Sequence, residues 1–346
     1  MFYHWANGFF IVKFNIRFAV IIRFYLFLSL SYSTTTFGEW ISDAQEIMGT
    51  KISVTLWHDD KIIGQAAVDA VMADMRRIDS TLSPYKATSL LAQLNDHAFE
   101  KRQRLTDELS LLIDKSLYFS RVSHGAFDIT FASLGWYYDY HNHKQPTAAQ
   151  KKKLLPSINY RYLSFDKDQK TLKFTHENVR IDLGGVAKGY AVDRAIEIVQ
   201  SFGVKHASIS AGGDSRLLGD RRGRPWLVGI KNPRLGNDDE QSVIRLPLSD
   251  VAISTSGDYE RYFVDEKTGE HIHHIINPKT GGSARNVVSV TILGNSGLNT
   301  DPMSTTVFVL GVEDGLALVN NLPGFDCIII DSFGKVHYSA GLIPAT

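Results

Sequence analysis

Residues 181–193 constrain the fold and the chemistry of this chain more than any other stretch. The run reads Ile-Asp-Leu-Gly-Gly-Val-Ala-Lys-Gly-Tyr-Ala-Val-Asp. An apolar strand end leads into a Gly-Gly turn, and residues 186–202 have the pattern of a helix that stops at Gly203. Gly184 and Gly185 let the backbone turn tightly and approach a ligand closely. The run therefore predicts a close-contact site at the start of a helix.

The same run predicts what the site binds. The free N–H groups and positive dipole end of the helix would face the turn, which favours an anion. Lys188 adds a positive charge, and Asp182 and Asp193 add oxygen donors for a sugar hydroxyl or a divalent cation. We therefore predict a nucleotide phosphate here, although neither G-x-x-x-x-G-K-[ST] nor G-x-G-x-x-G is present. For a Gly-Gly turn taken alone, the alternative is a turn that only connects a strand to a helix and binds no ligand.

Asp301 and Thr305 form a second candidate pair. We predict that a helix begins at Asp301, and Pro302 indicates that Asp301 lies near the N-cap, because proline is tolerated in a first turn. Residues four apart share one helix face, so this carboxylate and hydroxyl can reach one divalent ion. The alternative is an ordinary helix N-terminal acid followed by an ordinary threonine.

Strands and helices alternate along the chain without a regular βαβ rhythm, so the predicted class is α+β. Five motifs stand in a fixed order within it. In this order and spacing they resemble the FAD:protein FMN transferases, the ApbE-type flavin transferases, from about Met48 to about Gly341. The motifs are residues 181–193, 210–214, 254–259, 273–281 and 300–306.

The resemblance implies a two-lobed mixed α/β architecture with FAD bound in the cleft between the lobes. It also implies the activity: Mg²⁺-dependent transfer of FMN from FAD to a Thr or Ser hydroxyl of an acceptor redox protein. The product would be a phosphoester, with AMP released. An FAD pyrophosphatase that forms FMN and AMP, and a non-catalytic flavin-binding or carrier protein, remain the alternatives.

The resemblance also assigns the reacting groups. Asp301, Thr305 and the backbone carbonyl of Ala187 would hold Mg²⁺, and Mn²⁺ accepts the same oxygen ligands. His274 would activate the acceptor hydroxyl or steady the phosphate, with a charge adjustable near neutral pH; a structural histidine is the alternative. Asp258 would orient His274 or a water molecule.

Tyr85, in the segment Ser-Pro-Tyr-Lys, resembles the flavin-stacking position of the family, since an aromatic ring stacks on the flat isoalloxazine. An aromatic residue packed on the core is the alternative. Ile129 stands where the family usually has proline, so the turn there is expected to differ. The other residues that we predict to bind FAD are Met48, Asp182, Gly184, Gly185, Lys188, Asp193, Gly213, Asp214, Ser256 and Gly257.

Residues 1–36 have the composition of a targeting segment. Basic residues precede a short apolar run at residues 24–30, and small polar residues follow it. This pattern predicts a secretory signal peptide, or else an uncleaved signal anchor. The transferase domain would then be residues 37–346, with lobes of about 40–145 and 156–346. We expect an exported protein, periplasmic or anchored on the outer face of the cytoplasmic membrane.

Charge and cysteine content exclude other classes. Lys and Arg together number 37, as do Asp and Glu, so the formal net charge is zero. Without a basic stripe interleaved with aromatic residues, the chain is not predicted to bind nucleic acid. The single cysteine, Cys327, excludes an internal disulfide and lies in an apolar run, where we expect it to be buried and inert.

Overall fold

An eight-stranded antiparallel sheet organises the computed structural model, which describes residues 38–231 and 242–343. Every neighbouring pair in this sheet is antiparallel. Its strands, in the order in which they pair, are β1 (Glu39–Ile47), β2 (Thr50–His58), β6 (His206–Ala211), β7 (Asp214–Leu218), β10 (Ala252–Gly257), β13 (Val287–Gly294), β14 (Phe325–Asp331) and β15 (Val336–Tyr338).

Three smaller sheets and eight α-helices complete the described part of the chain. The small sheets are β3 (Gln103–Arg104), β5 (Thr171–Phe174) and β4 (Leu163–Asp166); β8 (Trp226–Lys231) and β9 (Ser242–Leu248); β11 (Tyr262–Val264) and β12 (His271–His273). The helices are α1 (Lys61–Leu82), α2 (Leu90–His97), α3 (Asp107–Val122), α4 (Ala132–Gly135), α5 (Ala148–Leu154), α6 (Ala187–Ser201), α7 (Gly297–Leu310) and α8 (Val312–Asn321). Short 3₁₀ turns span Ile129–Phe131, Leu155–Ser157, Tyr160–Tyr162 and Ala340–Leu342.

The class is α+β, as predicted: antiparallel strands carry helices that follow no βαβ rhythm. Strand β2, which pairs with β1, precedes the expected lobe boundary and also pairs with β6, which follows that boundary. The predicted lobes of about 40–145 and 156–346 therefore share one sheet. Within the described residues, no helix is long and apolar enough to cross a membrane. The targeting segment, residues 1–36, lies outside the described residues.

The main core lies between the sheet and helices α1, α6 and α7. Apolar side chains of β2, β6, β13 and β14 pack there against one another and against the helices. The β8–β9 hairpin covers part of the opposite face, where Trp226 packs with residues of β7, β10 and β13. Cys327 lies in β14 and is fully buried, and burial raises the pKa of its thiol to about 12. An inert thiol is the expected consequence.

Strand β1 was not predicted, and its turn with β2 forms part of the site. Ile47 pairs with Thr50, so Met48 and Gly49 make a two-residue hairpin turn. Both have positive φ, +58° and +67°, as a type I′ turn requires. Only Ile41 and Ile47 of β1 are buried, because β1 is the edge strand of the sheet. Its alternation of buried residues is therefore too weak to read from the sequence.

The prediction that Asp301 lies near a helix N-cap was wrong. Helix α7 begins four residues earlier, with Ser296 at its N-cap, and Pro302 lies inside it. The first turn of α7 is held by the carboxylate of Asp193 on α6, which accepts hydrogen bonds from the N–H groups of Gly297 at 2.8 Å and Leu298 at 2.9 Å. A capping group supplied by another helix leaves no local signal at the start of α7.

Candidate functional site

A cavity of about 420 Å³ opens where the β1–β2 turn, the first turn of α6, the end of β10 and the inner face of α7 meet. That volume lies within the range of small-molecule sites. It brings together all but three of the residues predicted to act on FAD or the metal. Those that line it are Met48, Tyr85, Asp182, Gly184, Gly185, Ala187, Lys188, Gly213, Ser256, Gly257, His274, Asp301 and Thr305.

Helices α6 and α7 cross backbone to backbone at one glycine from each. A Cβ atom at Gly189 would lie 2.0 Å from the carbonyl oxygen of Gly297, and one at Gly297 would lie 2.3 Å from the carbonyl oxygen of Gly189. The N–H of Gly189 donates to Oδ2 of Asp301 at 2.9 Å. The third glycine of the 181–193 run thus serves helix packing, and the crossing sets Ala187 and Lys188 beside Asp301.

Lys188 joins two buried carboxylates. Its Nζ lies 2.6 Å from Oδ2 of Asp214 and 3.5 Å from Oδ1 of Asp301. Burial and the nearby charge of Asp214 raise the pKa of Asp301 above its ordinary value, while Lys188 opposes the rise. Lys188 itself keeps its charge, since both carboxylates raise its pKa despite burial. The cluster therefore has two acids and one cation, and it favours a further positive charge.

The Gly-Gly turn lines the same cavity, three residues before Lys188 along the chain. Oδ1 of Asp182 accepts the N–H of Gly184 at 2.6 Å, so the aspartate closes the turn. Burial raises the pKa of Asp182. A Cβ atom at Gly185 would lie 3.1 Å from the ring of Phe127 and 3.6 Å from Oγ1 of Thr305. The turn thus lies close to α7, where the hydroxyl of Thr305 faces the cavity.

The residues expected to bind a divalent ion offer the types of donor atom that such an ion prefers. Asp301 and Thr305 lie one turn apart on α7 and line the cavity with Ala187. Oγ of Ser256 lies 2.8 Å from Oγ of Ser304 and 3.5 Å from Oγ1 of Thr305. Carboxylate, hydroxyl and carbonyl oxygens are the ligands of hard cations such as Mg²⁺. Within the described residues, no cluster of three or more His, Cys, Asp or Glu side chains could hold a metal ion, so the fit rests on this mixed oxygen set.

His274 lines the cavity with a buried Nδ1 that has no hydrogen-bond partner among the described residues. Burial, and then the charge of Arg261, lower the pKa of His274 to about 3. The expectation of a charge adjustable near neutral pH is therefore corrected for the ligand-free protein, whose imidazole is neutral there. A neutral ring with a free nitrogen can accept a proton or a hydrogen bond from a bound hydroxyl.

Three predicted residues lie outside the lining of the cavity. Asp193 caps α7, and Ser296 Oγ donates to it at 2.7 Å. Asp214 contacts Lys188 and its charge acts on Asp301, but it does not itself line the cavity. Asp258 is buried and its N–H donates to the carbonyl of Val288 at 3.2 Å. Asp193 and Asp214 thus hold in place elements that line the cavity, namely α7 and Lys188, without lining it themselves.

An aromatic stack stands at the mouth of the cavity. The rings of Tyr85 and Trp136 lie 5.2 Å apart at an interplanar angle of 15°. The guanidinium of Arg180 lies 4.8 Å from the ring of Trp136. The side chain of Tyr85 is 73% exposed. It is therefore not packed on the core, and one face of a flat ligand has room to stack beside it.

Arg261 is the cavity residue that sequence reasoning most clearly missed. Together with Glu260 it follows the predicted 254–259 motif directly and lines the cavity. Its Nη2 donates to the carbonyl oxygen of Gly49 at 2.8 Å. The signal that could have found it was position alone, a basic residue two places beyond a predicted ligand-binding segment.

Comparison with known proteins agrees with this architecture. The ApbE family matches residues 48–329. An FAD:protein FMN transferase of Treponema pallidum is 28% identical over 320 residues, which is 87% of each chain. The crystal structure of the ApbE protein of Thermotoga maritima superposes with a TM-score of 0.79 at 32% identity, covering 88% of this chain and 98% of that one. The flavin transferase ApbE of Vibrio cholerae superposes with a TM-score of 0.75 at 25% identity, covering 88% and 98%.

Proposed function

Because this chain belongs to the ApbE family, we propose that it is an enzyme that transfers FMN from FAD to a Thr or Ser hydroxyl of an acceptor protein. The relatives named FAD:protein FMN transferase support flavin transfer to protein as the reaction class. The acceptor is expected to be a redox protein that works with bound flavin. AMP is the other product, and the new bond is a phosphoester.

The observation that carries this proposal is the meeting of His274, Lys188, Asp301 and Thr305 in one cavity. Phosphoryl transfer needs charge neutralisation and positioning more than covalent participation by the protein. Lys188 and an oxygen-rich cation site supply the charge neutralisation, and a neutral base supplied by His274 can position the acceptor hydroxyl. A protein that only stores or carries flavin has no use for a buried imidazole nitrogen without a partner among the described residues, in the same cavity as Lys188 and the carboxylates that it joins.

The reaction balances as a single displacement. The acceptor hydroxyl oxygen forms a bond to the FMN phosphorus, and the bond from that phosphorus to the bridging oxygen of the pyrophosphate breaks. AMP leaves with the bridging oxygen, and the hydroxyl proton passes to Nδ1 of His274. The negative charge of bound FAD would raise the pKa of His274 from about 3 and so strengthen it as a base.

Mg²⁺ or Mn²⁺ would be held by Asp301, Thr305 and the carbonyl of Ala187, and would neutralise the charge that develops on the phosphate oxygens. Lys188 keeps Asp214 and Asp301 in place at 2.6 Å and 3.5 Å. The N–H of Gly189 holds the other oxygen of Asp301. These contacts fix the orientation of the carboxylate before any ligand arrives.

Product analysis tests the proposal. The purified protein is incubated with FAD and Mg²⁺, with and without a flavin-accepting redox subunit, beside Asp301→Ala. We expect AMP and a covalently flavinylated acceptor only when metal and acceptor are both present, and no turnover in the variant. FMN and AMP formed without acceptor would instead identify a pyrophosphatase. Intact bound FAD in every sample would identify a carrier.

We also propose that the protein works outside the cytoplasm, free in the periplasm or anchored to the membrane. The support is the composition of residues 1–36, in which basic residues precede a short apolar run and small polar residues follow it. Cell fractionation with N-terminal sequencing tests it. A new N-terminus in the range 34–39 on periplasmic protein would indicate cleavage, an intact N-terminus in the membrane fraction would indicate an anchor, and intact cytoplasmic protein would contradict export.

A further inference from the structure

We infer that Arg261 is a phosphate-binding residue of this site and that it accounts for a preference for phosphorylated flavins over riboflavin. The inference rests on the proposed function, in that FAD occupies the cavity. The fully charged basic residues that line the cavity are Lys188 and Arg261. The inference depends on a difference between them: Lys188 is paired with carboxylates of the protein, and Arg261 is not.

The positive charge of Lys188 is already balanced by carboxylates of the protein. It lies within 3.5 Å of two carboxylates, so the cluster that it forms with Asp214 and Asp301 carries no surplus positive charge. A pyrophosphate brings further negative charge into the same cavity, where Asp182 also stands. Anions are not accommodated at a partly buried site without a compensating cation. Lys188 alone therefore cannot neutralise a bound dinucleotide.

The guanidinium of Arg261 is free to bind a ligand. Among the described residues its side chain takes part in no ion pair, and the one hydrogen bond of that side chain is the donation from Nη2 to the carbonyl oxygen of Gly49 at 2.8 Å. A guanidinium has five N–H donors, and phosphate oxygens match its planar fork. Neighbouring Glu260 lines the cavity without pairing with it.

The β1–β2 turn positions the side chain of Arg261. Met48 and Gly49 both have positive φ, so the hairpin turns tightly and presents the Gly49 carbonyl to the guanidinium. A Cβ atom at Gly49 would lie 3.0 Å from Nη2 of Arg261. The tether restricts a long and otherwise exposed side chain to the cavity rim, so less rotamer entropy is lost when a phosphate binds.

The charge of Arg261 acts on the interior of the cavity. It lowers the pKa of His274 and opposes the rise in the pKa of Asp182, and both of these residues line the cavity. A phosphate bound in the cavity lies within the same field. The guanidinium therefore both attracts the anion and holds it close to the imidazole.

Binding of three flavins separates this role from a purely structural one. Riboflavin, FMN and FAD are titrated by flavin fluorescence in a chelator, which suppresses turnover, into wild-type protein, Arg261→Gln and Arg261→Lys. Arg222→Gln is the matched control, since that guanidinium lies 4.0 Å from the ring of Trp57 and outside the cavity lining.

We expect Arg261→Gln to weaken FMN and FAD binding about 10- to 100-fold, the loss of one charge-assisted contact, and to leave riboflavin binding unchanged. Arg261→Lys should recover part of the loss, and Arg222→Gln should change nothing. A loss confined to FAD would assign the contact to the AMP phosphate.

Equal weakening for all three flavins would overturn the inference, since it would show a role in shaping the turn. Unchanged affinities would overturn it as well, while leaving the proposed transfer reaction intact. Wild-type protein that binds no flavin would instead contradict the proposed function, and the inference would fall with it.

Discussion

Asp301 and Gly189 are joined by a 2.9 Å hydrogen bond from the glycine N–H to the carboxylate, at the point where α6 and α7 touch backbone to backbone. The contact ties the helix that follows the Gly-Gly turn to the helix that carries the expected metal ligands. Packing and chemistry therefore depend on the same pair of residues. A change that separates the helices should damage stability and activity together.

Gly189→Ala tests this coupling. The new methyl group would lie 2.0 Å from the carbonyl oxygen of Gly297 and 2.7 Å from Cβ of Asp301. Backbone cannot yield as a flexible side chain does, so we expect the free energy of unfolding to fall by about 3 kcal/mol, and transferase activity to be lost. Denaturant unfolding of the purified variant gives the comparison.

Gly282→Ala is the control for that variant, because its nearest neighbours would lie 3.9 Å away and its φ is not in the left-handed region. It should unfold like the wild type. A Gly189→Ala protein of wild-type stability would show that the α6–α7 crossing can open without cost, and that the third glycine of the run has another role.

Asp193→Ala separates helix capping from ligand binding, since the sequence predicts Asp193 as an oxygen donor for a sugar hydroxyl of FAD or a divalent cation. The carboxylate accepts three hydrogen bonds from the start of α7, two from backbone N–H groups and one from Ser296 Oγ. Its loss should lower the free energy of unfolding by about 1–2 kcal/mol. The affinity of the remaining folded protein for FAD should change little. Lower FAD affinity at unchanged stability would restore the ligand-binding role.

Most of the predicted site residues line one cavity, and they could be found from the sequence because their motifs are local. Gly184, Gly185 and Lys188 are contiguous with their helix, and Asp301 and Thr305 share a face whatever the exact helix start. The roles of Gly189, Asp193 and Arg261 could not be predicted, since their partners Gly297 and Gly49 lie more than 100 residues away along the chain. A glycine that permits a helix crossing and one that admits a ligand look identical until the partner is known.

The same limit explains the error at α7. Pro302 has no N–H to donate, and its usual place is a first turn, so the helix was expected to begin at Asp301. Asp193 supplies the cap from another helix and lets α7 begin at Gly297. The edge strand β1 was missed for a related reason, because only one side of it is paired and few of its residues are buried.

Asp301→Asn should remove a pH dependence of stability. Burial and Asp214 raise the pKa of Asp301 above its ordinary 3.8, so the folded state binds more protons than the unfolded state above that pH. Stability from this group is therefore present at low pH and falls as pH rises through the folded-state pKa. Asparagine keeps an acceptor for the N–H of Gly189 and removes the buried charge.

In chelator, we expect Asp301→Asn to be more stable than wild type at pH 8 by about 1 kcal/mol or more, the equivalent of one pKa unit, and equally stable near pH 4. Thermal unfolding across this range measures it, with Asp114→Asn, from the surface pair with Lys167, as control. Mg²⁺ should stabilise the wild type at pH 8 and leave Asp301→Asn unaffected. A variant less stable at pH 8 would contradict a raised pKa.

Tyr85→Leu should weaken flavin binding through loss of stacking. The Tyr85 ring lies parallel to Trp136 within 15° and is mostly exposed, so a ligand ring can extend the stack. Stacking of an aromatic ring on a base is worth about 1–3 kcal/mol, which corresponds to an affinity loss of about 5- to 150-fold. Tyr85→Phe keeps the ring and should bind as the wild type does.

Riboflavin should be affected as strongly as FAD in Tyr85→Leu, because stacking engages the isoalloxazine that both share. This is the opposite of the pattern expected for Arg261→Gln, where the phosphate decides. The two variants together therefore orient the ligand, with the flavin ring at the aromatic mouth and a phosphate at the β1–β2 turn. If Tyr85→Leu weakened FAD alone, the ring at the mouth would be the adenine, and the assignment of the two ends would be reversed.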